Sequence, residues 1–316
     1  MNQRPLISFD WAIKKILRKK SNYIILEGFL TELLGFDIHI LNIPESESNS
    51  SDKKDKINKV DILCENIQRG LILIELQYNS ENGYFHRMLF GASKIITDYM
   101  SEGYTYDQVR KVYSINIVYF DLGHGLDYIY KGVTQFQGIN NEDVLAPNLK
   151  QKQQFSINRI DQIYPEYYII KVNKFNDTIS STLDEWIFYL KYGNLPKATR
   201  AQGLEEVKEI LKYETMDAQA KLEYDAYQKE LAISKDVIET AKMEGRDEGL
   251  EQGIEQGIEQ GTENTKIQIT CRSFDEGIDI STIAIINAQS EEEVKQILLD
   301  HKLIEEDDQA QSDSLN

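Results

Sequence analysis

Lys59-Val60-Asp61-Ile62-Leu63 and, fourteen residues after its aspartate, Ile74-Glu75-Leu76-Gln77 decide how this chain folds. Both runs are apolar and rich in β-branched residues, the composition of strands. Asn66-Ile67-Gln68-Arg69-Gly70 separates residues 57–65 from residues 71–78, a loop of ordinary hairpin length. Leu71-Ile72-Leu73-Ile74 is continuously apolar, as a strand covered on both faces requires. Paired strands of this kind bring Asp61 and Glu75 side by side. A lone carboxylate buried in a strand costs free energy. Two that converge usually mark the seat of a hard cation.

Outward from the hairpin, residues 9–20 and 23–34 carry helical apolar spacing, and Gly35 stops the second. Residues 36–41 predict a strand. Residues 44–56, rich in Ser, Asp and Lys, have no periodicity and predict a loop. Phe85, Met88, Leu89, Ala92, Ile95, Ile96 and Tyr99 mark an amphipathic helix over 84–100, closed by Gly103. Strands are expected again at 112–120, 128–136 and 167–172. Helix, three strands, helix, strand describes an α/β fold, a mixed sheet with helices on both faces.

The rear of the chain has another character. Residues 203–242 are helix formers without a strand signal, and Gly245, Gly249, Gly253, Gly257 and Gly261 then recur every fourth residue. Wound as a helix, they form a glycine ridge beside Leu250, Ile254 and Ile258. Each interior Gly costs ~1 kcal/mol against Ala. The segment is therefore either a surface for self-association, as a homo-oligomer, or a semi-flexible connector. Its recurring Glu excludes a membrane-dimer segment. Residues 264–304 predict a small helical module, in which Ser290-Glu291-Glu292-Glu293 opens a helix with a capping box. That module is poor in Lys and Arg, which favours packing or assembly over reading DNA. Residues 305–316 predict an acidic disordered tail. The expected division is thus 1–200, 201–263, 264–304 and 305–316.

Composition narrows the class. The 316 residues are 41% apolar, 10% aromatic and 28% charged, ordinary for a folded soluble protein. No apolar run is long enough to span a membrane, and the first residues lack the apolar core of a secretion signal. Cys64 and Cys271 stand far apart, which excludes a disulfide framework and suits a reducing, cytoplasmic setting. The net charge of −18 is unevenly placed: residues 1–200 hold 24 basic and 24 acidic side chains, residues 201–316 hold 11 and 29. Affinity for nucleic acid follows local Lys and Arg density rather than global charge. Lys14-Lys15 and Arg18-Lys19-Lys20 supply local basic runs.

Metal-assisted phosphodiester cleavage needs an anchored cation, an oriented water, and a polar or cationic group that meets the developing charge. Asp61 and Glu75 are the expected anchors for Mg²⁺ or Mn²⁺, with the Leu76 carbonyl beside them. Gln77 projects to the same side as Glu75, so its amide is expected to orient the attacking water. Arg87 suits a bidentate phosphate contact, with a helix-surface ion pair as the alternative. Asp10 and Lys14, one helical turn apart, either complete the site, Lys14 toward substrate, or form a simple i,i+4 pair. Glu27 is a further candidate for a metal-holding or supporting role, with an exposed-face residue as the alternative. His39, His86, His124 and His301 form no ligand spacing.

These residues resemble the PD-(D/E)XK nuclease superfamily, whose core has this element order. More closely, the chain is similar to the recombination-promoting nuclease and transposase (Rpn) family. The resemblance implies a restriction-endonuclease-like core, with Asp61 at the family's aspartate position and Glu75-Leu76-Gln77 as its E-x-Q variant of E-x-K. Phe9-Asp10-Trp11-Ala12-Ile13-Lys14 looks like the family's first helix, and Arg87 stands where members carry an arginine. Leu183-Asp184-Glu185-Trp186 and the glycine-punctuated acidic tail agree. The likeness covers residues 8–200, and 200–300 more loosely. It implies a Mg²⁺-dependent DNA endonuclease of recombination or transposon-like mobile-element biology. A second reading keeps the fold as a weakly active or inactive DNA-binding, oligomeric regulatory scaffold. A third is a toxin-like or defence factor gated by assembly.

Overall fold

In a computed structural model, residues 6–43, 61–100 and 103–305 are described. The loop expected at 44–56, the opening residues of the strand expected at 57–65, and the tail beyond 305 lie outside them. The chain divides into two compact units, Met1–Tyr224 and Asp225–Asn316.

The first unit begins with α1 (Phe9–Lys15) and α2 (Tyr23–Leu34). Helix α1 is shorter than the apolar spacing to residue 20 predicts. The chain turns after Lys15 so that Leu17 is fully buried and the Arg18 guanidinium reaches the Asp61 backbone carbonyl at 2.6 Å. Strand β1 (Ile40–Asn42) is also shorter than expected. Gly35 closes α2 in the left-handed region at φ +79°, which Gly adopts without strain. The N–H groups of Ile38 and Ile40 go outward to Thr31 Oγ1 and Glu27 Oε1, and pairing with β2 begins at Ile40, beside a bond from the Ile67 N–H to the His39 carbonyl at 3.0 Å.

Strands β2 (Ile62–Asn66) and β3 (Leu71–Gln77) form the expected hairpin, and α3 (Tyr84–Asp98) follows. After it come β4 (Val112–Val118), β5 (Ile129–Gly132), the unpredicted α4 (Leu149–Phe155) and β6 (Glu166–Lys171). One mixed sheet results, in the order β1-β2-β3-β4-β6-β5. Its centre, β3-β4-β6, is parallel, while β1-β2, β2-β3 and β5-β6 pair antiparallel. Residues 71 through 76 are all buried, as a central parallel strand demands.

Side-chain alternation assigns the faces. Leu71 and Leu73 pack with Ala92 and Ile95 of α3 and with Val112, so the odd-numbered residues of β3 look toward α3. Behind the site, α1 and α2 are joined to α5 (Thr182–Tyr192) by aromatic edges: the Phe9 ring lies 5.4 Å from Phe29 and 5.9 Å from Trp186. Helix α6 (Leu204–Ile210) then seats its first turn on α2, where a Cβ at Gly28 would lie 2.2 Å from the Gln202 carbonyl oxygen. At the ends of β3 and β4, Tyr78 stacks on Tyr119 with ring centroids 4.2 Å apart.

Helix α7 (Ala218–Asp275) runs for 58 residues, most of them in the second unit. It carries the glycine repeat as helix, and a Cβ added at Gly245, Gly249, Gly253, Gly257 or Gly261 would meet nothing within 4 Å among the described residues. Leu250, Ile254 and Ile258 are exposed. Helices α8 (Ile280–Asn287) and α9 (Glu291–Asp300) form a small core with Ile283, Ala284, Val294 and Leu298. Ser290 and Glu293 form the reciprocal cap that the sequence predicts.

Candidate active site

The register of the β2-β3 hairpin builds the site. Ile62 pairs with Ile74 and Leu63 with Leu73, which sets Asp61, the residue just before β2, opposite Glu75. Opposed residues of an antiparallel pair present their side chains on the same face. The Asp61 carboxylate extends the pairing by one bond: its Oδ2 accepts the Leu76 N–H at 2.7 Å. Along a strand the N–H and C=O of one residue address the same neighbour. The Leu76 carbonyl therefore lies along the edge of β3 that carries Asp61.

Glu75 is only 4% exposed. Its Oε2 stands 3.6 Å from Arg87 Nε, while its Oε1 is buried with no hydrogen-bond partner among the described residues. Burial pushes the carboxyl up to about 7; the Arg87 guanidinium opposes that rise, and the Asp61 and Glu81 carboxylates add to it. Arg87, on the first turn of α3, also donates from Nη1 to Glu81 Oε2 at 3.1 Å. On the other side, the Glu75 register partner on β4 is Asn116, fully buried. The buried Tyr84 hydroxyl reaches Asn116 Oδ1 at 3.4 Å, and burial raises that phenol above its ordinary range.

Helix α1 supplies the remaining wall. Lys14 Nζ lies 3.5 Å from Asp61 Oδ1, and Arg18 holds the Asp61 backbone. Gln77 shares the face of Glu75, and its Nε2 donates to the Asn79 carbonyl at 3.2 Å. Asp10 is buried on α1. Glu27 is half-buried and uses Oε1 to fix Ile40, a backbone anchor for β1. Asp61, Glu75, Lys14 and Arg87 thus converge. A separate cleft of about 1150 Å³, lined by Leu6, Phe188, Pro196 and Tyr213, contains none of them.

The donor set fits a hard divalent cation. An ionisable oxygen buried without a partner is costly, and Glu75 Oε1 is such an atom. No group of three or more His, Cys, Asp or Glu side chains gathers for a metal among the described residues. Two carboxylates with a carbonyl, waters and phosphate are nonetheless an ordinary shell for Mg²⁺.

A family model described as PD-(D/E)XK nuclease family transposase matches residues 7–241. The chain belongs to that family. The match covers the sheet, the hairpin and the start of α7, and it agrees with the Rpn-type likeness in the sequence. No curated protein and no solved structure matches the chain. Among the described residues, no helix of this family member is long and apolar enough to cross a membrane.

Sequence reasoning missed Arg18 and Glu81. Arg18 stood out only as one of a basic run, and its contact depends on where α1 ends. Glu81 precedes α3 by a turn, and only the folded chain shows that it shares Arg87 with Glu75.

Proposed function

We infer that this chain is a metal-dependent DNA endonuclease acting in recombination or transposon-like mobile-element biology. The observation that carries the reading is the buried Glu75 Oε1, without a hydrogen-bond partner among the described residues, beside an arginine and across the hairpin from Asp61. Asp61 and Glu75 would hold Mg²⁺ or Mn²⁺, with the Leu76 carbonyl completing the protein's share. Bound there, the ion supplies Lewis acidity that makes water a better nucleophile near neutral pH.

The chain's own residues do the rest. Gln77 orients the attacking water once its amide leaves Asn79. Arg87 holds Glu75 in place and offers a guanidinium edge to phosphate. Lys14 contacts the substrate backbone, Asp10 supports α1 beneath it, and Glu27 supports the start of β1. Cytoplasmic action on DNA suits two cysteines without a disulfide framework. Self-association along α7 suits five interior glycines with open space over each and exposed Leu250, Ile254 and Ile258 beside them.

The test is incubation of purified protein with supercoiled plasmid in Mg²⁺ and in EDTA, beside Asp61→Ala and Glu75→Ala. Metal-dependent nicking or linearisation is expected, and either substitution should abolish it with folding intact. Equal cleavage by all three proteins would place the activity elsewhere.

A further inference from the structure

Breaking a phosphodiester requires a positive group where negative charge grows on the phosphate oxygens. Position 77 does not provide one, because Gln is neutral and its amide donates to Asn79. Arg87 can offer phosphate one edge only, its charge already shared with Glu75 at 3.6 Å and Glu81 at 3.1 Å, and its side chain is 26% exposed. Arg18 is committed to the Asp61 backbone at 2.6 Å.

Lys14 differs from both arginines. Its side chain is 44% exposed, and its ammonium stands 3.5 Å from Asp61 Oδ1, longer than a good charged hydrogen bond. Its base is fixed, because Phe9, Trp11, Ala12 and Ile13 of α1 are all buried. A lysine on a rigid helix, loosely held at a candidate metal-site carboxylate and open to solvent, is free to exchange that carboxylate for a substrate oxygen.

We propose that Lys14 is a catalytic residue of this site, donating to a non-bridging oxygen of the scissile phosphate. It supplies from α1 the charge that β3 lacks. The proposal rests on the nuclease reading above. In the reaction, the water oxygen bonds to phosphorus as one P–O ester bond breaks. The electron pair of that bond leaves on the departing oxygen. The water's proton passes to solvent, solvent protonates the departing oxygen, and Lys14 keeps its protons throughout.

The experiment compares the full chain with Lys14→Gln, Lys14→Arg and the double variant Lys14→Gln/Gln77→Lys. Two quantities are measured: single-turnover cleavage of supercoiled plasmid in Mn²⁺, and Mn²⁺ binding by calorimetry without DNA. Lys14→Gln should cleave roughly a hundredfold more slowly, the usual cost of one stabilising donor. Lys14→Arg should keep most of the rate, and the relocated lysine of the double variant should recover about tenfold of the loss. Mn²⁺ should bind Lys14→Gln as tightly as wild type or more tightly, because a cation has left Asp61. Weakened Mn²⁺ binding would assign Lys14 to orienting Asp61 and overturn the proposal. Cleavage by Lys14→Gln within about threefold of wild type would overturn it too, with the nuclease reading left standing. Wild-type cleavage indifferent to Asp61→Ala would instead remove the nuclease reading, and the proposal with it.

Discussion

The Asp61 carboxylate accepts the backbone N–H of Leu76 at 2.7 Å, so a side chain holds the hairpin closed where β2 has not yet begun. The same carboxylate is also a candidate metal ligand. Structural and chemical roles can be separated by substitution. Asp61→Asn keeps an acceptor for Leu76 and should melt close to wild type, yet lose Mn²⁺ binding in calorimetry. Asp61→Ala loses both, and a charge-assisted bond of this kind is worth about 1.5 kcal/mol or somewhat more. Equal melting of the two variants would show that the bond contributes nothing.

Glu75 makes the metal-free protein sensitive to pH. Its carboxyl is raised from 4.5 to about 7 in the folded chain, chiefly by burial. The folded state therefore holds a proton that the unfolded state releases, and stability falls as pH climbs from about 4.5 through 7. The full cost, reached by pH 8, is about 3 kcal/mol. Glu75→Gln removes it, so in EDTA this variant should melt above wild type at pH 8 and near wild type at pH 4.5. Thermal melts across that range decide the matter. A variant less stable than wild type at pH 8 would contradict the burial account.

Asp184 shows the opposite sign. Burial opposes its ionisation, but the Tyr128 hydroxyl and the Ser180 and Ser181 N–H groups outweigh burial and hold its carboxyl below the usual range. It stabilises the fold above the carboxylate's ordinary range, and that contribution fades as acid protonates the folded side chain. Asp184→Asn should therefore lower the melting temperature at pH 7 and close on wild type in strong acid.

Two glycine substitutions should move stability in opposite directions. Gly28→Ala drives a methyl to 2.2 Å from the Gln202 carbonyl oxygen, a backbone atom that cannot simply swing aside. Overpacking of this kind costs about 1–3 kcal/mol. Gly253→Ala meets nothing within 4 Å and should raise helix stability by ~1 kcal/mol, read as far-UV circular dichroism on heating. A drop in oligomeric mass for Gly253→Ala would indicate that a partner's side chains occupy the ridge.

Removal of residues 243–316 tests self-association directly. Light scattering should report a smaller assembly for the shortened chain. An unchanged mass would discard association through α7.

The hairpin was legible because its chemistry is local. Apolar β-branched runs around a five-residue loop fix the pairing, and the pairing fixes which residue opposes Glu75. Helix α3 was equally plain as an element, though of the stripe at 85, 88, 89, 92 and 95 only Met88, Ala92 and Ile95 are buried, while Phe85 and Leu89 are exposed. The limits of α1 and β1 were not plain, because both depend on distant partners: Arg18 leaves the helix line for the Asp61 carbonyl, and β1 is only as long as its pairing with β2. Gln77 was read for its face, correctly, but the Asn79 carbonyl that engages its amide belongs to the loop that follows. The tie between Glu81 and Arg87 joins a turn to a helix, and no periodicity announces such a bond.

Cys64 lies in β2 three residues after Asp61, fully buried, its thiol pushed up to about 12 by burial. It pairs with Ile72, inside the hairpin that carries both candidate ligands. An alkylating reagent can reach that sulfur only when the fold opens around β2, so the rate at which the thiol is modified is a clock on that opening. Divalent ions that bridge the two strands should slow the clock, giving a readout of occupancy that needs no DNA.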